Sequence, residues 1–451
     1  MKPIHRQRLV TLHASLVIAA ATFLTPLPSR AQQPKAIQPS KPPIAQAWID
    51  VATHHSDIPG MGAMAGFATG GISGGLSGLF GGMSGKSGGG GNVFGNTRFA
   101  MAPGKWLDVS VVTRNEPALS EATQNVPSGM SMNPALKLNV PPPEKYDPPV
   151  QREDEPVEPK YEKPKGKMLL YWGCGDSIRP GQPRVFDAAN ANLNDLQKFF
   201  SGMRNSTTRG ARSAQGNPSW PNKPDDRKVP EAASLVGEHQ FSGKGIPDSF
   251  KVTLGEAQDF MQPYAIAQRS DNGVVRLEWP SVANARGYFI SAIGARSAGN
   301  KDSSGKDEAE MVIWTSSEVP ELGFALNDYQ TNAAIDKWIK EKAVMPATAT
   351  QCAVPKGIFT DESGNLSGGG MLRATAYGSE AFFAYPPRPA DVKITWEPQW
   401  QTKVRLKSTF MSMLGGMGED SGRGQSRNGK QAPKKEEKIT PVNVLKGLFG
   451  R

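Results

Sequence analysis

The run VVRLEW at 274–279, followed by YFISAI at 288–293 and MVIWTS at 311–316, decides the fold. In the first run Val275, Leu277 and Trp279 alternate with Arg276 and Glu278, the period-two signature of a strand with one buried face. The other two are apolar on both sides and rich in β-branched or aromatic residues, which suits central strands of a sheet. Pro280 and residues 283–287 punctuate the first gap, and the polar stretch 297–306 fills the second. The pattern predicts a mainly β protein built on a β-sandwich.

Strand signals continue on both sides of this block. Met168–Gly173 (MLLYWG) reads as a buried strand, and Phe250–Leu254 and Met371–Tyr377 as further ones. Val392, Ile394 and Trp396 alternate with Lys393 and Thr395, which predicts another. Val404 and Leu406 alternate with Lys403, Arg405 and Lys407, so this strand is expected to present three cations on one face and to resist edge pairing. Two segments read as helices: a short one around Leu193, Leu196, Phe199 and Phe200, and residues 332–344 with Ile335, Trp338 and Ile339 on one side.

Leu277, Trp279, Gly287 and Tyr288 resemble the B and C strands of a fibronectin type III domain, and Leu372 to Gly378 is similar to its F strand. The resemblance implies a Trp–Tyr sandwich core; the helix at 332–344 departs from a standard module. Trp48–Val51, Trp106–Val109 and Tyr171–Gly175 make the whole chain similar to a family of uncharacterised secreted proteins of Gram-negative bacteria. That likeness implies an envelope address and assigns no activity.

The N-terminus supports the same address. Lys2, Arg6 and Arg8 precede the apolar run Leu16–Leu24, and Ser29-Arg30-Ala31 has the small-x-small form of a cleavage site, so residues 1–31 are expected to be a secretory leader. The apolar run is shorter than the about 20 residues of a spanning helix. No Cys follows the cleavage site to carry a lipid anchor. The formal charge of +10 falls to +6 once Lys2, Arg6, Arg8 and Arg30 are removed. That favours an envelope protein, an anionic glycan or a lipid surface as partner, and export argues against nucleic acid.

With 49 Gly and 38 Pro, and 37% apolar residues, much of the 451-residue chain is expected to be loop or linker. Residues 32–46 read as a disordered tether and 47–140 as a Gly-rich N-terminal region. The Pro/Glu/Lys-rich stretch 141–167 reads as a spacer holding two halves apart. Residues 168–412 then form the sandwich part. The stretch 413–451 is a basic disordered tail with a short apolar tip at Val444, Leu445, Leu448 and Phe449.

Within the N-terminal region, Trp48-Ile-Asp-Val51 recurs as Trp106-Leu-Asp-Val109, which predicts two strands that pair. Between them no charge occurs from Ile58 to Gly85, and glycine stands at Gly62, Gly66, Gly70, Gly74, Gly78 and Gly82. In a helix this period clears one face for close packing against a membrane helix or a second copy. The plain alternative is a flexible Gly/Ser-rich loop. We expect an arm that associates conditionally with membrane or with itself.

Chemistry is thinly marked. Cys174 and Cys352 are the only cysteines, and in an oxidising compartment the pair is expected to form a disulfide. The alternative makes Cys174 a reactive thiol with His239, beside Asp176, in a secreted hydrolase. His54-His55 with Asp50 and Asp57 matches no standard metal spacing and reads as a surface turn. No phosphate loop or nucleophile elbow occurs. No cofactor or metal is expected, and a non-enzymatic role is favoured. Arg204, Arg209 and Arg212 with Trp220, together with Lys403, Arg405 and Lys407, are the candidate contacts to an anionic or sugar polymer.

Overall fold

The computed structural model describes residues 40–58, 92–99, 102–132, 135–143, 167–188, 190, 192–301, 307–359, 370–391 and 393–415. The leader, the Gly-rich arm with its six spaced glycines, the bulk of the Pro-rich spacer and the basic tail lie outside the described residues.

The N-terminal part supplies β1 (Ala45–Ser56), the short α1 (Asn96–Phe99), β2 (Gly104–Thr113), β3 (Glu121–Asn125) and β4 (Ala135–Asn139). After the spacer come β5 (Lys167–Trp172), β6 (Arg184–Asp187), α2 (Leu193–Phe200), β7 (Ser219–Trp220), β8 (Gly237–Ser242) and β9 (Lys251–Leu254). The remainder holds β10 (Ala267–Asp271), β11 (Val274–Glu278), β12 (Gly287–Lys301), β13 (Asp307–Thr315), α3 (Asn332–Lys340), β14 (Met345–Pro346), β15 (Gln351–Val354), β16 (Gly370–Tyr385) and β17 (Trp400–Met413). The protein is mainly β, with helices confined to short insertions.

A large mixed sheet runs β6-β5-β13-β12-β16-β17-β1-β2-β7-β4-β3-β8-β9, with β14 added to β12, and a small sheet runs β10-β11-β15. The three deciding runs fall on β11, β12 and β13. Val275 and Leu277 of β11 and Val354 of β15 share a buried cluster with Tyr288, Ile290, Ala374 and Leu406 of the large sheet. Trp279, Tyr288 and Tyr264 meet there with ring centroids 5.3–5.9 Å apart. The Tyr288 hydroxyl accepts from the Val282 N–H at 3.0 Å, so its polar tip is satisfied inside the core.

The repeated Trp-x-Asp-Val strands do pair. β1 and β2 are antiparallel with Ile49 opposite Val109 and Asp50 opposite Asp108. β1 also runs parallel to β17, Ala45 beside Trp400 through Ser56 beside Met411. This pairing overturns the expected separation of two halves, because strands from both sides of the spacer join one sheet. It also removes β17 from the edge: β16 flanks it on the other side. The strand predicted around Val392 to Trp396 is not formed among the described residues, which leave out Val392. Residues 393–396 form a turn and a single bridge, with the Lys393 N–H donating to the Asp391 carboxylate at 2.9 Å and the Ile394 N–H to the Asp391 carbonyl at 3.2 Å rather than to a neighbouring strand.

Cys174, just after β5, and Cys352 in β15 form a disulfide with Cα atoms 5.2 Å apart. It ties the small sheet to the large one across 178 residues of sequence.

Candidate functional site

Alternation along β17 gives the sheet two unlike faces. Trp400, Val404, Leu406 and Phe410 enter the apolar core, while Arg405 and Lys407 face the other way and are 1% exposed. A buried cation requires a partner, and the neighbouring strand supplies it. Arg405 forks onto Asp50 of β1, with Nε donating to Oδ1 at 2.6 Å and Nη2 to Oδ2. Burial pulls the guanidinium pKa down, but Asp50 outweighs it and the net shift is upward. Gly210 lies against this pair so closely that a Cβ there would collide with the guanidinium.

Lys407 stands 3.7 Å from Asp328 and donates to the Asn327 carbonyl at 3.4 Å. Burial, with Arg373, Arg98 and Arg405 nearby, lowers its ammonium pKa to about 7. Burial also acts on Asp328, but the charges of Lys407 and Arg98 prevail and hold that carboxyl below its ordinary value. The Tyr329 ring lies under both cations, 4.3 Å from Arg405 and 4.5 Å from Lys407. Lys403 pairs with Glu380 at 3.0 Å. Opposite Asp50, Asp108 has no cation partner among the described residues. The Thr97 hydroxyl donates to its Oδ2 and the Gly95 N–H to its Oδ1 at 3.0 Å. Burial outweighs those bonds and raises its pKa to about 7.

The sequence reading of a cationic contact surface is therefore corrected. Arg405 and Lys407 are spent on internal acids, and Trp220 is fully buried in the core. Arg204 pairs with Glu321 at 3.2 Å and Glu341 at 2.7 Å. Arg209 and Arg212 are exposed on the loop that crosses this face. Its backbone is anchored below by Ala211 N–H to Asp50 at 3.0 Å and Arg212 N–H to the Ser110 hydroxyl at 3.1 Å.

The other candidates resolve as plainly. The disulfide takes the Cys174 thiol out of nucleophilic chemistry, so it is not free to act with His239. His239 lies buried on β8, its ring nitrogens 3.0 Å from Gln124 Nε2 and 2.7 Å from the Leu235 carbonyl. His54 and His55 are the end of β1, not a turn. His54 is buried between Thr409 and the Asn96 carbonyl, and burial lowers its pKa to about 3. His55 meets Asp57 at 3.2 Å. Among the described residues no cluster of His, Cys, Asp and Glu has metal-binding geometry.

A groove of about 690 Å³ lies between β9, the outer end of β16 and the segment joining β16 to β17. Lys251, Phe382, Arg388, Trp396, Trp400 and Lys403 line it. Phe382 is 67% and Tyr385 47% exposed. Arg388 lies 4.6 Å over the Trp396 ring and carries no ion pair among the described residues; Lys403 lies 4.9 Å over Phe382. The Trp396 indole N–H donates to the Pro386 carbonyl at 3.0 Å, and Trp400 stacks on Phe250 at 4.9 Å, which fixes the floor. Sequence reasoning chose Lys403 but missed the rest; the signal was Phe382, Tyr385 and Trp396 around Pro-Pro-Arg-Pro.

In this groove aromatic faces stand beside Arg388, and Lys403 reaches Phe382 while paired with Glu380. No family model matches this chain, and comparison with curated proteins and with solved structures finds no match.

Proposed function

We propose that this is an exported, non-enzymatic binding protein of the cell envelope. Its groove beside β16 holds an extended polymer, either a segment of an envelope protein or an anionic glycan. The observation that carries this reading is the free Arg388 stacked on Trp396 next to the exposed Phe382 and Tyr385. Export is supported by the tripartite leader, and an oxidising compartment by the Cys174–Cys352 bond. The small sheet packed on β13, β12, β16 and β17, with Trp279 and Tyr288 between them, supports reading this part as a fibronectin type III-like module. The Gly-rich arm is the element we assign to membrane or self-association.

Calorimetric titration of the mature protein with oligogalacturonate and with acidic peptides tests the groove. Trp396→Ala and Arg388→Ala are each expected to weaken binding by roughly tenfold, the scale of one cation–π contact. Unchanged affinity in both variants would refute the assignment.

A further inference from the structure

Resting on that binding role, we propose that the outer half of β16 takes up an acidic, extended peptide as an added strand. β12 pairs with β16 only from Gly370 to Tyr377, while β17 continues along its other side to Tyr385. An extra residue between Tyr377 and Glu380 shifts the register there. Beyond it the edge away from β17 has no neighbouring strand among the described residues. Asn332 occupies the first position instead: the Glu380 N–H donates to its Oδ1 at 2.9 Å and its amide donates to the Glu380 carbonyl at 2.9 Å. Those are the two bonds a facing strand would make.

In an antiparallel ladder, N–H and C=O of alternate residues point to the same side. Phe382 and Ala384 therefore turn their backbone groups outward as Glu380 does, and no protein partner meets them among the described residues. The Gln399 N–H donating to the Tyr385 carbonyl at 2.7 Å confirms the alternation, since Tyr385 faces the β17 side. Two donors and two acceptors thus stand open on the wall of the groove, beside the exposed Phe382 and Tyr385. Open strand edges are what peptide-capturing sheets use: the backbone supplies bonds and alternate side chains supply selectivity.

The rim chooses the occupant. Arg388 has no acid partner among the described residues, and Lys403 is shared with one carboxylate, Glu380. A second copy would set these cations against themselves, whereas a peptide with a carboxylate at every second position would meet them from one face.

The test uses residues 32–451, a fluorescent hexapeptide alternating Val and Glu, the same peptide N-methylated on alternate amides, its Val/Lys counterpart, and oligogalacturonate. The Val/Glu peptide is expected to bind. N-methylation in the register that blocks the edge-facing amides, replacement of Glu by Lys, and Ala384→Pro should each weaken binding by roughly tenfold or more, the scale of two lost hydrogen bonds. Ala384→Pro should leave the circular dichroism spectrum and melting temperature unchanged, as an edge position tolerates proline. Equal binding of both N-methylated registers and the parent overturns strand addition without any protein variant. Oligogalacturonate binding with no peptide binding also overturns it but leaves the groove reading standing; binding of neither overturns both.

Discussion

Asp108→Asn isolates the energetic cost of the second carboxylate on the polar face. Asp50 and Asp108 stand opposite each other on β1 and β2, and Arg405 serves only Asp50. Burial raises the Asp108 pKa from 3.8 to about 7. The folded protein thus holds this proton up to about pH 7, while the unfolded chain releases it near 3.8. Stability from this group is whole below the unfolded value and drains away as the pH rises through the folded one. The shift amounts to about 4 kcal/mol, at 1.36 kcal/mol per unit. Asparagine keeps an acceptor for the Gly95 N–H and can donate to the Thr97 hydroxyl, but it never ionises. Urea unfolding of the two proteins from pH 4 to 8, without reductant, is the assay. Asp108→Asn should match wild type near pH 4 and exceed it by a few kcal/mol, at most about 4, at pH 8. An identical pH slope in both proteins, or a variant less stable than wild type at pH 8, would refute the reasoning.

Removing the other partner should act in the opposite sense: Arg405→Leu leaves Asp50 buried and uncompensated and is expected to cost about 3–5 kcal/mol, read by the same unfolding assay at pH 7. Replacing both Cys174 and Cys352 by Ala frees a loop spanning 178 residues; chain entropy sets the loss at about 5 kcal/mol, and a reductant-insensitive melting temperature equal to wild type would contradict it. Intact mass of the exported protein should begin at Gln32, as cleavage after Ala31 requires. Replacement of Gly66, Gly70, Gly74 and Gly78 by Leu should abolish arm-dependent crosslinking and vesicle flotation; equal behaviour of wild type, the Leu variant and a 58–95 deletion would leave the arm a plain loop.

What the sequence disclosed follows from the range of each signal. Period-two alternation is local, so β11, β16 and β17 were legible, and the Trp-x-Asp-Val echo announced the β1–β2 pair. Alternation does not say which strand lies alongside. Lys403, Arg405 and Lys407 therefore looked like an edge face, when Asp50, the acid that pairs with Arg405, lies 355 residues away in the chain. The parallel β1–β17 contact has the same separation and no local trace, so the sequence alone makes the spacer look like a domain boundary. Val392, Ile394 and Trp396 mimic a strand because the rule weighs side-chain pattern; the turn that Lys393 and Ile394 make back onto Asp391 decides the backbone. The groove escaped notice because its walls come from β9, β16 and the β16–β17 connection.

The open edge and the buried charge network have one origin. A sheet strand with cations on one face cannot leave that face to apolar packing, so loops from three parts of the chain cover it: α1 over Asp108, residues 204–212 over Asp50, and residues 321–332 over Lys407. Each brings backbone groups or counter-charges. The cover ends at Asn332, the first residue of α3, whose side-chain amide closes the Glu380 backbone. Past that residue β16 still has β17 beside it, so the strand persists without cover, and Phe382 and Tyr385 emerge into solvent. Lys403, the last cation of the row, lies at this border, paired inward with Glu380 and stacked outward on Phe382. A ligand strand seated there would continue the role of Asn332 by two more residues, on a strand already paired with β17. That placement on a strand already held by β17 along one side is the preorganisation a binding edge requires.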